Sequence, residues 1–204
     1  SDLKTLNYIL NHQYPPKFIG FICNYKKSKR FVEYENLKML TSLEKKNTNF
    51  VSVLVDPNDE TLEIMKSLNF NYYQLYDVDA KRTKLIKEKY KVNIITALTI
   101  NNQKDVNEYR DYLGIADIIL FDGKGYEKSI GFDHQLLISV PKSINKMIAG
   151  NIKIEDILNF KNKDIFVDLS GALENEEGKK DIEKINKLLN LAILKWDLKK
   201  EFQL

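Results

Sequence analysis

Apolar runs alternate with amphipathic segments along the whole chain, and this alternation predicts its secondary structure. Short apolar runs bounded by turn residues are typical of strands that are buried on both faces. Seven such strands are predicted, at residues 18–23, 50–55, 72–76, 92–100, 115–122, 145–149 and 164–170. Leucine and isoleucine at helical spacing predict eight helices between and around them, at residues 2–10, 37–43, 57–68, 79–89, 106–113, 135–140, 154–158 and 182–192.

The strict alternation of strand and helix predicts an α/β fold with a parallel sheet, because there is no hairpin pattern. Eight βα units would make a TIM (β/α)8 barrel. The chain opens on a helix, so we expect such a barrel with the first strand absent from this chain. A doubly wound sheet of seven strands is the alternative. No Pro/Gly/Ser-rich linker divides the sequence, so residues 1–204 are expected to form a single domain.

Charge and cysteine content narrow the classes of protein that fit. Thirty-two Lys and Arg against 29 Asp and Glu give a net charge of +3 over 204 residues. Basic runs as short as Lys26–Arg30 are typical of a solvated face, so no nucleic-acid partner is expected. The single Cys23 excludes an intrachain disulfide and suits a reducing, cytoplasmic location. We expect no membrane segment, since no signal peptide or long apolar run is visible.

The candidate chemistry lies where strands end. Asp122 closes the run Ile115–Asp122 and is followed by Gly123 and a polar loop through Tyr126. Barrel and doubly wound enzymes place their catalytic groups at the carboxyl ends of buried strands. Arg30, in the loop after residues 18–23, is suited to hold a carboxylate or phosphate, although a solvent-facing charge is the simpler interpretation.

Small residues follow the last two predicted strands. Ala149-Gly150 and Gly171-Ala172 would let a phosphate approach backbone N–H groups, but ordinary βα turns use the same residues. Cys23 ends its strand at the same rim. It is either a reactive thiolate or, more commonly for a lone cysteine in an apolar run, a small core residue.

Taken in order, segments along nearly the whole chain resemble the phosphoribosylanthranilate isomerase family of the tryptophan pathway. Each segment is weak alone, but seven in the right order are specific. They are Phe18–Cys23 with Lys27–Val32, similar to GF(I/V)F…KSxRxV; Val51–Pro57, similar to VGVFVNP; Tyr73–Asp77, similar to VQLHG; Ile118–Asp122, similar to LLLD; Gly131–His134, similar to KTFDW; Ile148–Asn151, similar to LAGGL; and Val167–Glu174 with Gly178–Asp181, similar to VDVSSGVE…PGxKD.

The resemblance implies a reaction and a set of roles. The family converts N-(5-phosphoribosyl)anthranilate to 1-(2-carboxyphenylamino)-1-deoxyribulose 5-phosphate without metal or cofactor. It implies that Asp122 is the general acid and that Arg30 holds the anthranilate carboxylate. The phosphate would lie at Ala149 and Gly150, and at Gly171 and Ala172.

Several positions depart from the family pattern. The family's base is a Cys in a KICG segment on the first strand, and residues 1–204 do not contain that segment; Cys23 falls where the family has an apolar residue. Tyr76 stands in place of the family's His, and Asn151 in place of its second Gly. A non-catalytic phosphate-binding barrel that acts through partners is therefore the alternative. A related histidine-pathway isomerase is a third possibility, although its two-halved internal repeat is not visible here.

Overall fold

Seven parallel strands form one sheet in which every strand pairs with its neighbours in sequence. The computed structural model describes residues 2–123, 130–160 and 164–201, without the side chains of residues 192–201. The predicted loop residue Tyr126 and the side chain of the predicted helical residue Ala192 therefore lie outside this description. Within these ranges the strands are β1 (Phe18–Ile22), β2 (Asn49–Val55), β3 (Tyr72–Tyr76), β4 (Asn93–Thr99), β5 (Ile118–Asp122), β6 (Lys146–Ala149) and β7 (Ile165–Val167).

The connections are helical. The α-helices of the described residues are α1 (Leu3–Asn11), α2 (Tyr34–Thr41), α3 (Asp59–Lys66), α4 (Ala80–Tyr90), α5 (Gln103–Asn107) and α6 (Ile182–Glu201). Shorter 3₁₀ helices lie at Glu108–Tyr112, His134–Ser139, Ile154–Phe160 and Gly171–Leu173. The helices predicted near residues 135–140 and 154–158 are thus 3₁₀ helices. Segments this short gain little from α-helix propagation after nucleation, and Pro141 ends the first of them.

Side chains at the helix starts fix where several helices begin. Asp2, Asn58 and Asp79 each accept a hydrogen bond from a backbone N–H in the first turn of α1, α3 and α4, at 2.8, 2.9 and 2.8 Å. Asn102 forms a capping box with Asp105 at the start of α5. These oxygens satisfy N–H groups that have no partner inside the helix, which stabilises the start of each of these helices.

Alternate strand residues separate the core into an inner and an outer layer. Side chains such as Val51, Ile95 and Leu120 pack together inside the curled sheet. Their neighbours along the strands, including Phe50 and Phe121, pack outward against the helices. This alternation follows from the two-residue period of a strand, and it aims the last inward residue of each strand at the barrel mouth.

The sheet curls until its edge strands face each other. Phe18 of β1 and Phe166 of β7 meet edge to face with ring centroids 5.3 Å apart, and Lys17 Nζ lies 5.0 Å from the centre of the Phe166 ring. No backbone pairing joins β1 to β7 within the described sheet. We call the gap between Phe18–Ile22 and Ile165–Val167 the seam. The sequential strand order and this closure give a TIM barrel that holds seven of its eight strands, and they rule out the doubly wound alternative.

Candidate active site at the barrel mouth

Asp122 is the last residue of β5 and points into the barrel mouth. It continues the inward series of Ile118 and Leu120, and its neighbours in register are Thr99 on β4 and Ala149 on β6. Only 6% of the residue is exposed. The strand-end position predicted from the sequence is therefore occupied by a buried carboxyl group.

The pKa of Asp122 is raised to about 7, chiefly because burial disfavours the charged carboxylate. A hydrogen bond from Tyr76 partly opposes this rise, and the negative charge of Asp168 adds to it. A carboxyl group with a pKa near neutrality can keep and deliver a proton under physiological conditions. The buried position of Asp122 therefore suits the role of general acid that the sequence analysis predicts for it.

Tyr76 and Gln74 support Asp122 from inside the barrel. Both lie on β3 and point inward, and both are buried. The Tyr76 hydroxyl donates to Asp122 Oδ2 at 2.9 Å, and Gln74 Nε2 donates to the Tyr76 hydroxyl oxygen at 3.3 Å. The sequence marks Tyr76 only as a replacement for a family histidine, and its hydrogen bond to Asp122 joins residues 46 positions apart.

Asp168 is a second carboxyl group at the mouth, which the sequence prediction does not select. It follows β7, where its backbone N–H donates to Ile148 O at 2.8 Å. Burial raises its pKa, and the positive charges of Lys180 and Arg30 act against that rise. The strand-end rule that selects Asp122 applies equally to Asp168, so the pattern contains the signal.

Arg30 lies on the far side of the seam from β7 and is held there by an ion pair. An isolated parallel bridge between Ile22 and Phe31 brings the loop back along the free edge of β1. Arg30 Nε and Nη2 donate to Glu174 Oε1 and Oε2 at 2.5 and 3.0 Å. This hydrogen bonding raises the pKa of Arg30. Arg30 is thus a fixed cation at the mouth, with Nη1 outside this bidentate pair.

Lys180 completes the group around Glu174. Its Nζ donates to Ser170 O at 2.8 Å and lies 3.1 Å from Glu174 Oε1. Burial lowers the pKa of Lys180, while Glu174 opposes this fall. Burial alone would raise the pKa of Glu174, but its bonds to Arg30 and the charge of Lys180 lower it. The carboxylate is therefore shared by two cations, and the sequence pattern predicts neither contact.

The four residues proposed for phosphate binding lie at the ends of β6 and β7. Ala149 closes β6 and is buried, and Gly150 has a φ of +99°. A Cβ at Gly150 would lie 2.5 Å from the Ile130 carbonyl oxygen. Gly171 and Ala172 lie in the 3₁₀ helix after β7, and a Cβ at Gly171 would lie 3.4 Å from Arg30 Nη2. All four border the same mouth as Asp122 and Arg30.

Cys23 does not take part in this site. Its position in the strand period turns the side chain outward, where it packs with the helix-side core. The thiol donates to Phe21 O at 3.0 Å, and burial raises its pKa to about 12. The core interpretation of Cys23 is confirmed, because a thiol this hard to ionise is a poor nucleophile or base.

A parallel βα barrel with a near-neutral carboxyl acid and a fixed arginine at its carboxyl end belongs to the class of βα-barrel enzymes. Comparison with known proteins defines the family. The family model of N-(5'-phosphoribosyl)anthranilate (PRA) isomerase matches residues 4–191 of the chain. The chain belongs to this family, and with it to the isomerases of tryptophan biosynthesis.

Individual relatives agree with this assignment. The chain is 30% identical to the N-(5'-phosphoribosyl)anthranilate isomerase of Rhizobium johnstonii over 84% of its own length and 82% of the relative's. It is also 30% identical to the enzyme of Brucella canis, covering 82% and 80% of the two chains.

No helix among the described parts of the chain has the length and apolar character needed to cross a membrane.

Solved structures agree on the fold. The Thermotoga maritima phosphoribosyl anthranilate isomerase superposes with a TM-score of 0.79 over 93% of each chain at 21% identity. A phosphoribosyl anthranilate isomerase in complex with reduced 1-(o-carboxyphenylamino)-1-deoxyribulose 5-phosphate superposes with a TM-score of 0.77 over 92% of each chain, also at 21% identity. The seven strands described here thus follow the path of this family's barrel.

Proposed function

We propose that Asp122 is the general acid of an Amadori rearrangement of N-(5-phosphoribosyl)anthranilate. The observation that carries this assignment is the raised pKa of a buried carboxyl group at a strand end, about 7, in a chain of this family. The protonated Asp122 donates its proton to the ribose ring oxygen. The bond from C1 to that oxygen breaks, and the nitrogen lone pair forms an iminium at C1.

The second half of the reaction needs a base. Removal of the C2 proton converts the iminium to an enolamine, which becomes the ketone of 1-(2-carboxyphenylamino)-1-deoxyribulose 5-phosphate. One proton enters and one leaves, so the product is an isomer of the substrate. Cys23 is unsuited to this step because its thiol faces the outer core. We propose that the base belongs to a strand that fills the seam, as the resemblance to the family implies.

Binding roles follow from charge and space at the mouth. We propose that Arg30 holds the anthranilate carboxylate, because Nη1 and the planar guanidinium edge suit a carboxylate. The phosphate is assigned to the ends of β6 and β7, at Ala149, Gly150, Gly171 and Ala172. Small residues there let phosphate oxygens reach backbone N–H groups.

Replacing Asp122 tests the acid. Asp122→Asn keeps the shape of the side chain and removes the transferable proton, so we expect kcat to fall by about 100-fold to 10,000-fold in the complete gene product. Asp56→Asn is the matched control, because Asp56 is an exposed carboxylate at the end of β2 on the same rim. Loss of substrate fluorescence on isomerisation gives the rate. If the two variants were equally active, Asp122 would not be the general acid.

The alternative is a barrel that binds the phosphorylated ligand and does no chemistry. Departures from the family pattern favour it, since Tyr76 stands in place of the family's His and Asn151 in place of its second Gly. Two measurements on the complete gene product distinguish a binding barrel from an enzyme. One is titration with the reduced product analogue, and the other is turnover before and after thiol alkylation. Binding without turnover, before and after alkylation, supports the non-catalytic barrel. Turnover that alkylation abolishes, with Cys23 unmodified by peptide mapping, supports a cysteine base outside Cys23.

We also propose that residues 1–204 act as one domain in the cytoplasm on a small phosphoribosyl substrate. The strand pairs join consecutive elements from β1 to β7, which supports a single cooperative unit. A single unfolding transition seen alike by fluorescence and circular dichroism is the expected result, and two separated transitions would contradict it.

A further inference from the structure

A chain of hydrogen bonds inside the barrel ends on the proposed acid. It runs from Gln74 Nε2 to the Tyr76 hydroxyl and from that hydroxyl to Asp122 Oδ2, over 3.3 and 2.9 Å. All three residues are buried, with 6%, 4% and 6% of their surface exposed. Gln74 and Tyr76 point to the same side of β3 because they are two positions apart.

The chemistry of the groups gives this chain one direction. An amide nitrogen only donates, so the Tyr76 oxygen accepts from Gln74. An ionised carboxylate only accepts, so the Tyr76 hydrogen is directed to Asp122 Oδ2. The pKa of Tyr76 is raised well above 10, by burial first and by the charges of Asp122 and Asp168 next. Tyr76 therefore remains a donor throughout the pH range in which Asp122 titrates.

The hydrogen bond distinguishes the two oxygens of the carboxyl group. Oδ2 is already engaged as an acceptor, so a proton bound to Asp122 is favoured on Oδ1. A fixed proton position matters because proton transfer needs the donor atom held at hydrogen-bond distance from the substrate oxygen.

We propose that Tyr76 is a positioning residue. Held in place by Gln74, it fixes the Asp122 carboxyl group so that Oδ1 carries the proton delivered to the substrate. This inference rests on the proposed role of Asp122 as the acid. It also explains the departure from the family pattern, in which a histidine is expected in place of Tyr76. The phenol provides a neutral donor, whereas an imidazole beside Asp122 could itself take up a proton.

Other charged groups near the acid do not duplicate this role. Asp168 faces Asp122 from the end of β7 and raises its pKa through its charge. Arg30 and Lys180 act on Asp168 from the loops after β1 and β7. Among the described residues, Tyr76 is the side chain seen to donate a hydrogen bond to Asp122.

The test is the substitution Tyr76→Phe, and the quantity measured is the pKa of Asp122. The carboxyl carbon of Asp122 is followed by ¹³C NMR as a function of pH in aspartate-labelled protein, with Asp122→Asn providing the assignment. Removing the hydroxyl should raise the pKa of Asp122 by about one to two pH units, because a hydrogen bond to its charged form is lost. Tyr73→Phe is the control, since Tyr73 is a buried tyrosine of the same strand that faces the outer core.

A second variant guards against misfolding of the first. Gln74→Leu removes the donor that orients the phenol and should move the pKa of Asp122 in the same direction by a smaller amount. In activity measurements, Tyr76→Phe should shift the alkaline limb of kcat/KM upward with that pKa. It should also lower the plateau by about 10-fold, as expected for a misplaced proton.

The outcomes separate this inference from the function on which it rests. A rise of the Asp122 pKa in Tyr76→Phe and Gln74→Leu but not in Tyr73→Phe supports the positioning role, even if turnover is lost in every protein. An unchanged pKa, a fall, or an equal rise in Tyr73→Phe overturns it, even if Asp122→Asn confirms the acid.

Discussion

The raised pKa of Asp122, at the end of β5, lowers the stability of the folded chain at high pH. Its pKa is about 7 in the folded chain and ordinarily 3.8. The folded state therefore binds the proton more tightly, and stability falls as pH rises from about 4 through about 7. The loss amounts to a few kcal/mol at most, because each tenfold change in proton affinity is worth about 1.4 kcal/mol.

Asp122→Asn should therefore be stabilising in a pH-dependent way. The asparagine cannot ionise, so at pH 8 we expect the variant to exceed the native protein in unfolding free energy by about 2–4 kcal/mol. At pH 4 the difference should be small, because Asp122 is neutral in the folded chain and only partly ionised in the unfolded chain. Urea unfolding at the two pH values measures this. The same difference at both would mean that Asp122 titrates normally.

The residues of the site differ in how far the sequence reveals them. Asp122, Gly150 and Gly171 follow from a rule about strand ends, which depends only on local pattern. Glu174 pairs with Arg30 across 144 positions, and Tyr76 reaches Asp122 across 46. Those partners are set by how the barrel curls, so no local pattern contains them.

The loops after β1 and β7 are the elements that meet across the seam, and Glu174 joins them. Its side chain is only 14% exposed, while that of Arg30 is 37% exposed, so solvent screens part of the ion pair. Lys180 shares the same carboxylate at 3.1 Å. Loss of the Glu174 charge leaves two cations close together at the edge of the barrel.

Glu174→Gln should lower the unfolding free energy by about 1–2 kcal/mol and show less of that loss at high salt. Glu177→Gln is the matched control, because Glu177 lies in the same loop and pairs with Lys179 on the exposed surface. The control should change stability by less than about 0.5 kcal/mol. Urea unfolding compares them, and equal effects would show that the seam contact contributes nothing special.

The turn after β6 depends on close backbone approach. Gly150 and Gly178 both have a positive φ, +99° and +75°. A Cβ at Gly150 would meet the Ile130 carbonyl oxygen at 2.5 Å, whereas one at Gly178 would meet nothing within 4 Å. Alanine would therefore strain the backbone at both positions, but only Gly178 has space for the added methyl group.

Gly150→Ala should cost about 1–3 kcal/mol more than Gly178→Ala. Each substitution strains the backbone by about 1 kcal/mol, and only the first also forces the loop at Ile130 to move. Thermal unfolding of the two variants gives the comparison. If both lose the same stability, the contact between Ile130 and Gly150 is not maintained in solution.

At the scale of elements, the sequence predicts the strands better than the helices. The strand at residues 72–76 agrees with β3 residue for residue, because a buried run bounded by polar turns leaves little freedom. The last strand is shorter than predicted, Ile165–Val167 instead of 164–170. It lies at the edge of the sheet, where one neighbour alone supplies backbone pairing.

At the scale of the molecule, side chains and not backbone pairing connect β1 to β7 across the seam in the described part of the chain. Phe18, Phe166 and Lys17 meet at the bottom of the seam, and Arg30 meets Glu174 at the top. Alternation of strand and helix predicts the barrel, and counting seven strands predicts the seam. The charges that bridge it could not be predicted, because they depend on the final distance between β1 and β7.

The family assignment and the mouth geometry lead to one central claim, that Asp122 donates the proton that opens the ribose ring. The pH dependence of kcat/KM for isomerisation of N-(5-phosphoribosyl)anthranilate by the complete gene product tests it most directly. The acid must be protonated, so kcat/KM should fall about tenfold per pH unit above a pKa near 7. A profile that stays flat from pH 7 to about 9, or one that Asp122→Asn reproduces at full rate, would contradict the claim.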